Sequence, residues 1–214
     1  MCAGYELAAD PEAIARAFRV EPVQLPLPLL GTGTLERYPR QQAPIVIARH
    51  DDQGGQRYLL GPARFGLVPH FAKELPKDGK HFNARAETVH ERPLFRAAFE
   101  RRRCLVPATA FFEWKRSPVQ KGAQRYVYRP ALGGFLALAG IWETWRSEQG
   151  EKVGSFAILT TEANQLVAEV HGRMPVILAS AEAQALWLAR DTPLAALRAL
   201  LLPAEAGLLQ AMAG

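Results

Sequence analysis

The sequence predicts a β-dominated α+β fold, a barrel-like mixed sheet with helices at its periphery, on three observations. Short runs rich in β-branched and aromatic residues, such as Ile45-Val46-Ile47-Ala48, Ala110 to Lys115 and Phe135 to Trp142, recur through the middle of the chain with turn residues between them. These runs do not alternate with helical patterns, which argues against a parallel βαβ sheet. Helical pattern is concentrated in the last third, so the helices belong beside the sheet rather than between its strands. With 214 residues, 49% of them hydrophobic and 22% charged, the chain is long enough for one sizeable core, and one domain over 1–214 is expected.

Taken in order, Asp10-Pro11-Glu12 supplies an N-cap, a proline at the first helical position and an acid in the first turn, and opens a helix through Phe18. Pro22, Pro26 and Pro28 stop it. From Glu21 to Pro44 the prolines and Gly31-Thr32-Gly33 prescribe an irregular segment. Gly31-Thr32-Gly33 is not a phosphate loop, because Glu36 stands where the third glycine belongs and no strand precedes it. Ile45 to Ala48, the turn Asp51-Asp52-Gln53-Gly54-Gly55 and Tyr58 to Leu60 read as a hairpin, and Arg64 to Val68 as another strand. A loop around Pro76 to Lys80 leads into His81 to Thr88, and Pro93 to Arg101 reads as a helix. Strands are expected at Cys104 to Val106, Ala110 to Lys115, Tyr126 to Arg129, Phe135 to Trp142 and Ser155 to Thr160. Thr161 to Asn164 starts a helix, Pro175 to Leu178 is strand-like, and helices cover Ala181 to Leu188 and Pro193 to Leu201.

A net charge of +5 and a pI near 9.5 favour a polyanionic partner, although a modest basic excess is also common in proteins that touch none. The two cysteines, Cys2 and Cys104, give no disulfide framework and no zinc spacing, so reduced thiols, no metal and no cofactor are expected. The N-terminus lacks a basic and apolar leader, and no run of 18 apolar residues occurs. A cytoplasmic protein without a membrane role follows, nucleoid-associated if bacterial.

Polar groups inside apolar stretches mark the candidate chemistry. Met1-Cys2 is a substrate for initiator removal, which would place an α-amine beside a thiol, both with nucleophilic forms accessible near neutral pH. Such a 1,2-aminothiol condenses with an aldehyde to a thiazolidine; the plainer alternative is a cysteine on a frayed terminus. Strand alternation would put Asn83, Arg85 and Glu87 on one face, turned either to solvent or to a ligand. Glu113, between Phe112 and Trp114, is either a surface strand position or a carboxyl whose charged form is disfavoured by the rings, suited to proton transfer near neutral pH. His171-Gly172-Arg173-Met174-Pro175 is a turn with an imidazole and a guanidinium, although a lone histidine is usually structural. Thr160 stands at a strand end.

Met1-Cys2, Phe82 to Thr88, Arg103 to Ala108 with Phe111-Phe112-Glu113-Trp114, Ala139 to Glu143, and Ile158 to Asn164 through Val170 to Leu178 together resemble the SRAP family, the SOS-response-associated peptidases, over about residues 2–188. The resemblance implies that Cys2 is the nucleophile that forms a thiazolidine with the ring-opened aldehyde of an abasic site in single-stranded DNA, shielding the lesion. It also implies that Asn83 orients the reactants and that Glu113 is the acid-base catalyst. The same resemblance implies that His171 assists ring opening with Thr160 nearby, that Arg85 and Arg173 hold phosphates, and that Pro39 packs at the site. The implied partner is abasic single-stranded DNA, with association at replication forks. Relatives commonly carry Gly-Arg after the cysteine, whereas Ala3-Gly4 follows here, so an arginine expected on the DNA backbone is absent. The tryptophan usual before Gly-Leu-Val-Pro is Phe65, which offers an aromatic face for base stacking.

Two other classes fit parts of this pattern. One is a thiol peptidase, as the family's name suggests, with Cys2 attacking a peptide bond and His171 as base. The other is a DNA-binding module that uses no covalent chemistry. Acetylating the amine separates the three readings, since only the crosslinking needs it free.

Overall fold

The stretches read as strands pair into two sheets in the computed structural model of the chain, which describes residues 2–8, 10–20, 33–50, 55–116 and 122–214. In chain order the first half holds β1 (Tyr5–Ala8), α1 (Pro11–Phe18), β2 (Thr34–Arg37), β3 (Gln42–His50), β4 (Gln56–Phe65), β5 (Asn83–Arg85), α2 (Pro93–Arg101) and β6 (Arg103–Ala108). The second half holds β7 (Ala110–Arg116), β8 (Ala123–Pro130), β9 (Leu136–Arg146), β10 (Lys152–Glu162), α3 (Gln165–Ala168), β11 (Arg173–Pro175), α4 (Ala181–Leu188), α5 (Leu194–Ala199) and β12 (Leu209–Ala213). The expected turns at Gly31-Thr32 and Asp51 to Gly54, the prolines at 22, 26 and 28, and the fate of Met1 lie outside the described residues.

Strands β10, β4, β3, β6 and β9 pair in that order, and β9 pairs back onto β10, closing a barrel. The β4–β10 pairing is parallel and the others are antiparallel, so the barrel is mixed as expected. β5 lies parallel beside β10 at Ile158 to Thr160, and β11 joins antiparallel at Thr160 to Glu162. The second sheet runs β12-β8-β7-β1-β2. The chain passes from barrel to second sheet at Thr109, between β6 and β7. Tyr5, Phe111 and Tyr128 of the second sheet share one buried cluster with Phe65, Leu105 and Ile158 of the barrel.

The structure corrects several element boundaries. Part of the segment expected to be irregular is ordered: Thr34–Arg37 pairs with β1, and Gln42–His50 includes Pro44. Pro44 faces Pro62 across β3–β4, β6 joins β3 only at Val46 and Ile47, and β10 joins β4 only at Arg64 and Phe65. Neither proline therefore has to donate to a neighbour on its outer side, which is the condition under which a strand accepts one. β4 ends at Phe65, and Gly66, at φ +115, turns the chain away before Val68. Thr161 and Glu162 belong to β10, and helix α3 starts after Asn164, whose side chain accepts the Val167 N–H at 3.0 Å. The α1 reading holds: Asp10 accepts from the backbone N–H groups of Glu12 and Ala13 at 3.0 and 3.1 Å. Among the described residues no helix is long and apolar enough to cross a membrane.

Candidate functional site

The N-terminal strand is placed by its neighbours. β1 pairs with β7 at Tyr5↔Phe111 and Glu6↔Ala110, and the Phe112 N–H donates to Gly4 O at 3.0 Å. At the corner between the sheets, the Thr109 hydroxyl donates to the Glu6 carboxylate at 3.0 Å, and the Thr109 N–H donates to Glu6 O at 2.6 Å. Arg129 grips the same carboxylate with both terminal nitrogens, which holds it below the usual carboxylate range. This clamp fixes β1 against β7 and carries Cys2 in beside the strand that bears Glu113.

Cys2 is fully buried, with its Sγ 3.6 Å from Gly4 O. Burial, and then the Glu113 carboxylate, push its thiol well above its ordinary pKa. Glu113 shares one face of β7 with Phe111, because alternate residues of a strand point the same way, while Phe112 lies on the other face, buried with Ala110 and Val127 in a second cluster against which Trp114 packs. It is 1% exposed, and burial raises its pKa to about 7. Its Oε2 lies 3.8 Å from His171 Nδ1.

His171 follows α3, and its N–H donates to Val167 O at 2.9 Å. His171 Nδ1 lies 3.0 Å from the Arg173 N and 3.2 Å from the Arg173 carbonyl oxygen, so it accepts from the one or donates to the other according to the tautomer of the ring. Burial holds the imidazole below its ordinary pKa, so it is neutral near pH 7. Glu113 and His171 open onto a cleft of about 810 Å³ whose walls are Ala3, Tyr38, Trp114, Arg116, Ala123 and Val170. A buried carboxyl that is half protonated near neutral pH, beside a neutral imidazole, can pass protons in both directions to a reactant in that cleft.

A second group gathers on β10. Thr160 pairs with Arg85 of β5 on one side and Pro175 of β11 on the other. Thr160 is fully buried; its carbonyl accepts from Arg173 Nη2 at 2.5 Å, so it anchors Arg173 and has no surface to offer DNA. Arg173 also makes a two-pronged pair with Glu87 at 2.7 and 3.0 Å, which holds that carboxylate below its usual range. Arg85 is exposed. β5 ends at Arg85, so Glu87 is not a third residue of one strand face; it lies past the strand end and reaches Arg173 instead. Asn83 donates to Phe82 O at 3.2 Å and Ile158 O at 3.5 Å, bonds to the residue before β5 and to β10 rather than to Cys2, Glu113 or His171. Its Oδ1 is buried with no hydrogen-bond partner among the described residues.

Phe65 requires a correction. It is fully buried, stacked on Phe156 at 5.1 Å and edge-packed by Tyr5 and Phe82, so no ring face is open to a base. Sequence alone does not separate an aromatic that stacks on a ligand from one that stacks in a core. Pro39 sits half-buried in the turn after β2 and does not line the cleft, whereas its neighbour Tyr38 does. Tyr38 and Trp114 are the aromatic cleft residues that the sequence does not single out, although each adjoins a candidate, Pro39 or Glu113. Among the described residues no group of three or more His, Cys, Asp or Glu is placed to hold a metal ion.

Comparison with known proteins bears on this arrangement. The abasic site processing protein YoaM of Bacillus subtilis is 38% identical over 153 residues, 71% of this chain and 66% of that protein. The abasic site processing protein HMCES of Rattus norvegicus is 29% identical over 181 residues, 70% of this chain and 51% of that protein. The chain thus spans about two thirds of the length of the Bacillus relative and about half of the rat one. A solved structure from Bordetella bronchiseptica superposes with a TM-score of 0.80 at 27% identity, covering 100% of this chain and 99% of that one. One from Bacteroides thetaiotaomicron shares the fold, with a TM-score of 0.83 at 24% identity over 99% of this chain and 91% of that one. The family model described as SOS response associated peptidase (SRAP) matches residues 1–213, and the chain belongs to that family.

Proposed function

We propose that this chain captures abasic sites in single-stranded DNA, forming a thiazolidine between Cys2, freed by loss of Met1, and the ring-opened deoxyribose aldehyde. The observation that carries the reading is Glu113: a carboxyl buried at the cleft, with a pKa near 7, 3.8 Å from His171 and electrostatically coupled to the Cys2 thiol. The names of the Bacillus and rat relatives supply the substrate class.

Opening of the abasic hemiacetal is a net proton shift from the 1′-hydroxyl to the ring oxygen, a task for the neutral His171 imidazole. The Cys2 amine then adds to the aldehyde carbon to give a carbinolamine. Protonation of its hydroxyl by Glu113 releases water and leaves an iminium ion and a carboxylate. Sulfur adds to the iminium carbon, the C=N electron pair returns to nitrogen, and the thiol proton passes to the Glu113 carboxylate. The net change is the loss of one water, with Glu113 restored. Burial keeps the proton on the thiol near neutral pH, so sulfur adds as that proton leaves for the Glu113 carboxylate and not before.

The test is a denaturing gel of purified protein with single-stranded DNA carrying one abasic site. A heat-stable, SDS-resistant band is expected from the unblocked protein and is lost on acetylation of the amine, while reversible DNA binding survives. Cys2→Ser forms the imine but closes it poorly; a heat-stable band from that variant without reductant would overturn the thiazolidine.

A further inference from the structure

Two aromatic side chains, Tyr38 and Trp114, wall the cleft, and the buried Phe65 is not one of them. Tyr38 lines the same cleft as Glu113 and His171. Its ring is fixed from several sides. The Tyr38 hydroxyl donates to Glu36 at 2.5 Å, the other Glu36 oxygen accepts from Arg125 at 2.6 Å, and the Arg125 guanidinium lies 4.8 Å over the Phe112 ring. The Tyr38 N–H is held by the Gln41 side chain at 2.9 Å. Glu36 and Arg125 are 39% and 34% exposed, and a pair so open to water adds little to stability. What the pair does is hold the ring in place.

Gly4 has no left-handed backbone that would call for glycine. The demand comes from Tyr38. A Cβ at Gly4 would stand 2.6 Å from Tyr38 Cε1 and 2.9 Å from Cδ1, closer than atoms pack, against a ring tethered through its hydroxyl on a backbone that Gln41 holds. Tyr38 thus occupies the space that any side chain at position 4 would use.

We infer that the Tyr38 ring is the stacking face for the nucleobase next to the abasic sugar, and that Gly4 is required so that this ring can stand at the cleft. The inference rests on the abasic-site reading above. An abasic site leaves the neighbouring base without its stacking partner, and a preorganised ring on the cleft wall replaces that partner without ordering cost at binding.

The experiment measures dissociation constants for two strands that carry a non-reacting tetrahydrofuran abasic analogue. In one strand the neighbouring nucleotides keep their bases; in the other the neighbours are also tetrahydrofuran. Tyr38→Ala should weaken binding to the first strand about tenfold, the loss of one base–aromatic stack, and leave the second unchanged. Tyr38→Leu, which keeps apolar packing against Gly4 but has no flat face, should match Tyr38→Ala. Gly4→Ala should weaken the first strand similarly in the native background and add nothing in the Tyr38→Ala background. Equal weakening on both strands, or none on either, overturns the stacking role, and native binding by Gly4→Ala overturns the pairing of the two positions. If the native protein neither binds the abasic strands nor forms the SDS-resistant adduct, the abasic-site reading itself fails. Adduct formation with binding indifferent to Tyr38 removes only this inference.

Discussion

Glu113 concentrates the chemistry of the cleft in one residue, and its pKa makes two separate expectations measurable. Water loss from the carbinolamine needs the protonated carboxyl, which declines as pH rises through about 7, while attack needs the free amine, which declines below about 7.7 to 8.0. The native rate of adduct formation should therefore peak near neutrality and fall on both sides. Glu113→Gln should be slower by about 10²-fold or somewhat less and should lose the alkaline fall, since glutamine does not titrate. His171→Ala should slow formation chiefly where ring opening limits it, so rapid single-turnover measurement across pH separates the two roles; an unchanged profile for Glu113→Gln assigns the proton transfer elsewhere. The second expectation concerns stability. Burial raises the folded pKa of Glu113 from 4.5 to about 7, so its contribution is fully present below the unfolded value and is lost as pH rises through the folded one. Urea unfolding of Glu113→Gln against the native protein at pH 5 and pH 8 should show the variant gaining on the native chain with rising pH, by up to about 3 kcal/mol. A difference independent of pH would mean the carboxyl is hydrated in the folded protein.

At the level of elements, the barrel is tied to its helices by one buried cation. Arg103 at the start of β6 donates to the Phe99 and Glu100 carbonyls at the end of α2 and to the Trp187 and Ala189 carbonyls at the end of α4, with its guanidinium 5.9 Å over the Trp187 ring. Both helices end their dipoles on this charge, which is where a cation is favoured. Arg103→Leu removes this donor from the Phe99, Glu100 and Trp187 carbonyls and leaves Ala189 O only the Thr192 hydroxyl, and should cost about 3 kcal/mol, or a fall in Tm of roughly 6 to 12 °C for a chain of this size. Adduct formation per folded molecule should be unaffected, since Arg103 is remote from the cleft lining. None of this is written in local sequence pattern, and that marks the line between what was legible and what was not. Helices α1, α2 and α4 were legible because caps, prolines and acids act within one turn. Long strands such as β9 and β10 were legible in their centres and too short at their ends. β1, β2 and β12 were missed, for they are four or five residues long and their stability comes from partners far along the chain: β1 from Phe111, β12 from Tyr126 to Pro130.

For the whole molecule, the site is an assembly of distant segments, and legibility follows the same division. Glu113 declared itself because a carboxyl between aromatic residues is a local anomaly. Cys2 declared itself through its neighbour in sequence. Tyr38 did not, because its meaning depends on Gly4, Glu36 and Arg125 meeting it across two strands. Arg173 was legible as a cation but not as a paired one, and this changes what the net charge of +5 does for DNA binding. A phosphate approaching the end of β10 meets Arg85 exposed and Arg173 already matched by Glu87, whose carboxylate stays ionised well below neutral pH because of that pairing. Each cation that neutralises a phosphate of single-stranded DNA contributes about 0.7 to the slope of log K against log salt. Arg85→Ala should reduce the slope for the tetrahydrofuran strand by about that amount, and similarly for any flanking sequence, since phosphate contacts position without reading bases. Arg173→Ala should reduce it much less, because the pair it leaves was electrically neutral. Glu87→Gln should raise the slope by up to about 0.7 by releasing Arg173 to the backbone. Salt titrations of the three variants decide the matter: equal reductions for Arg85→Ala and Arg173→Ala would mean that DNA displaces Glu87 on binding, and that the pair is a latch the strand opens rather than a fixed part of the fold.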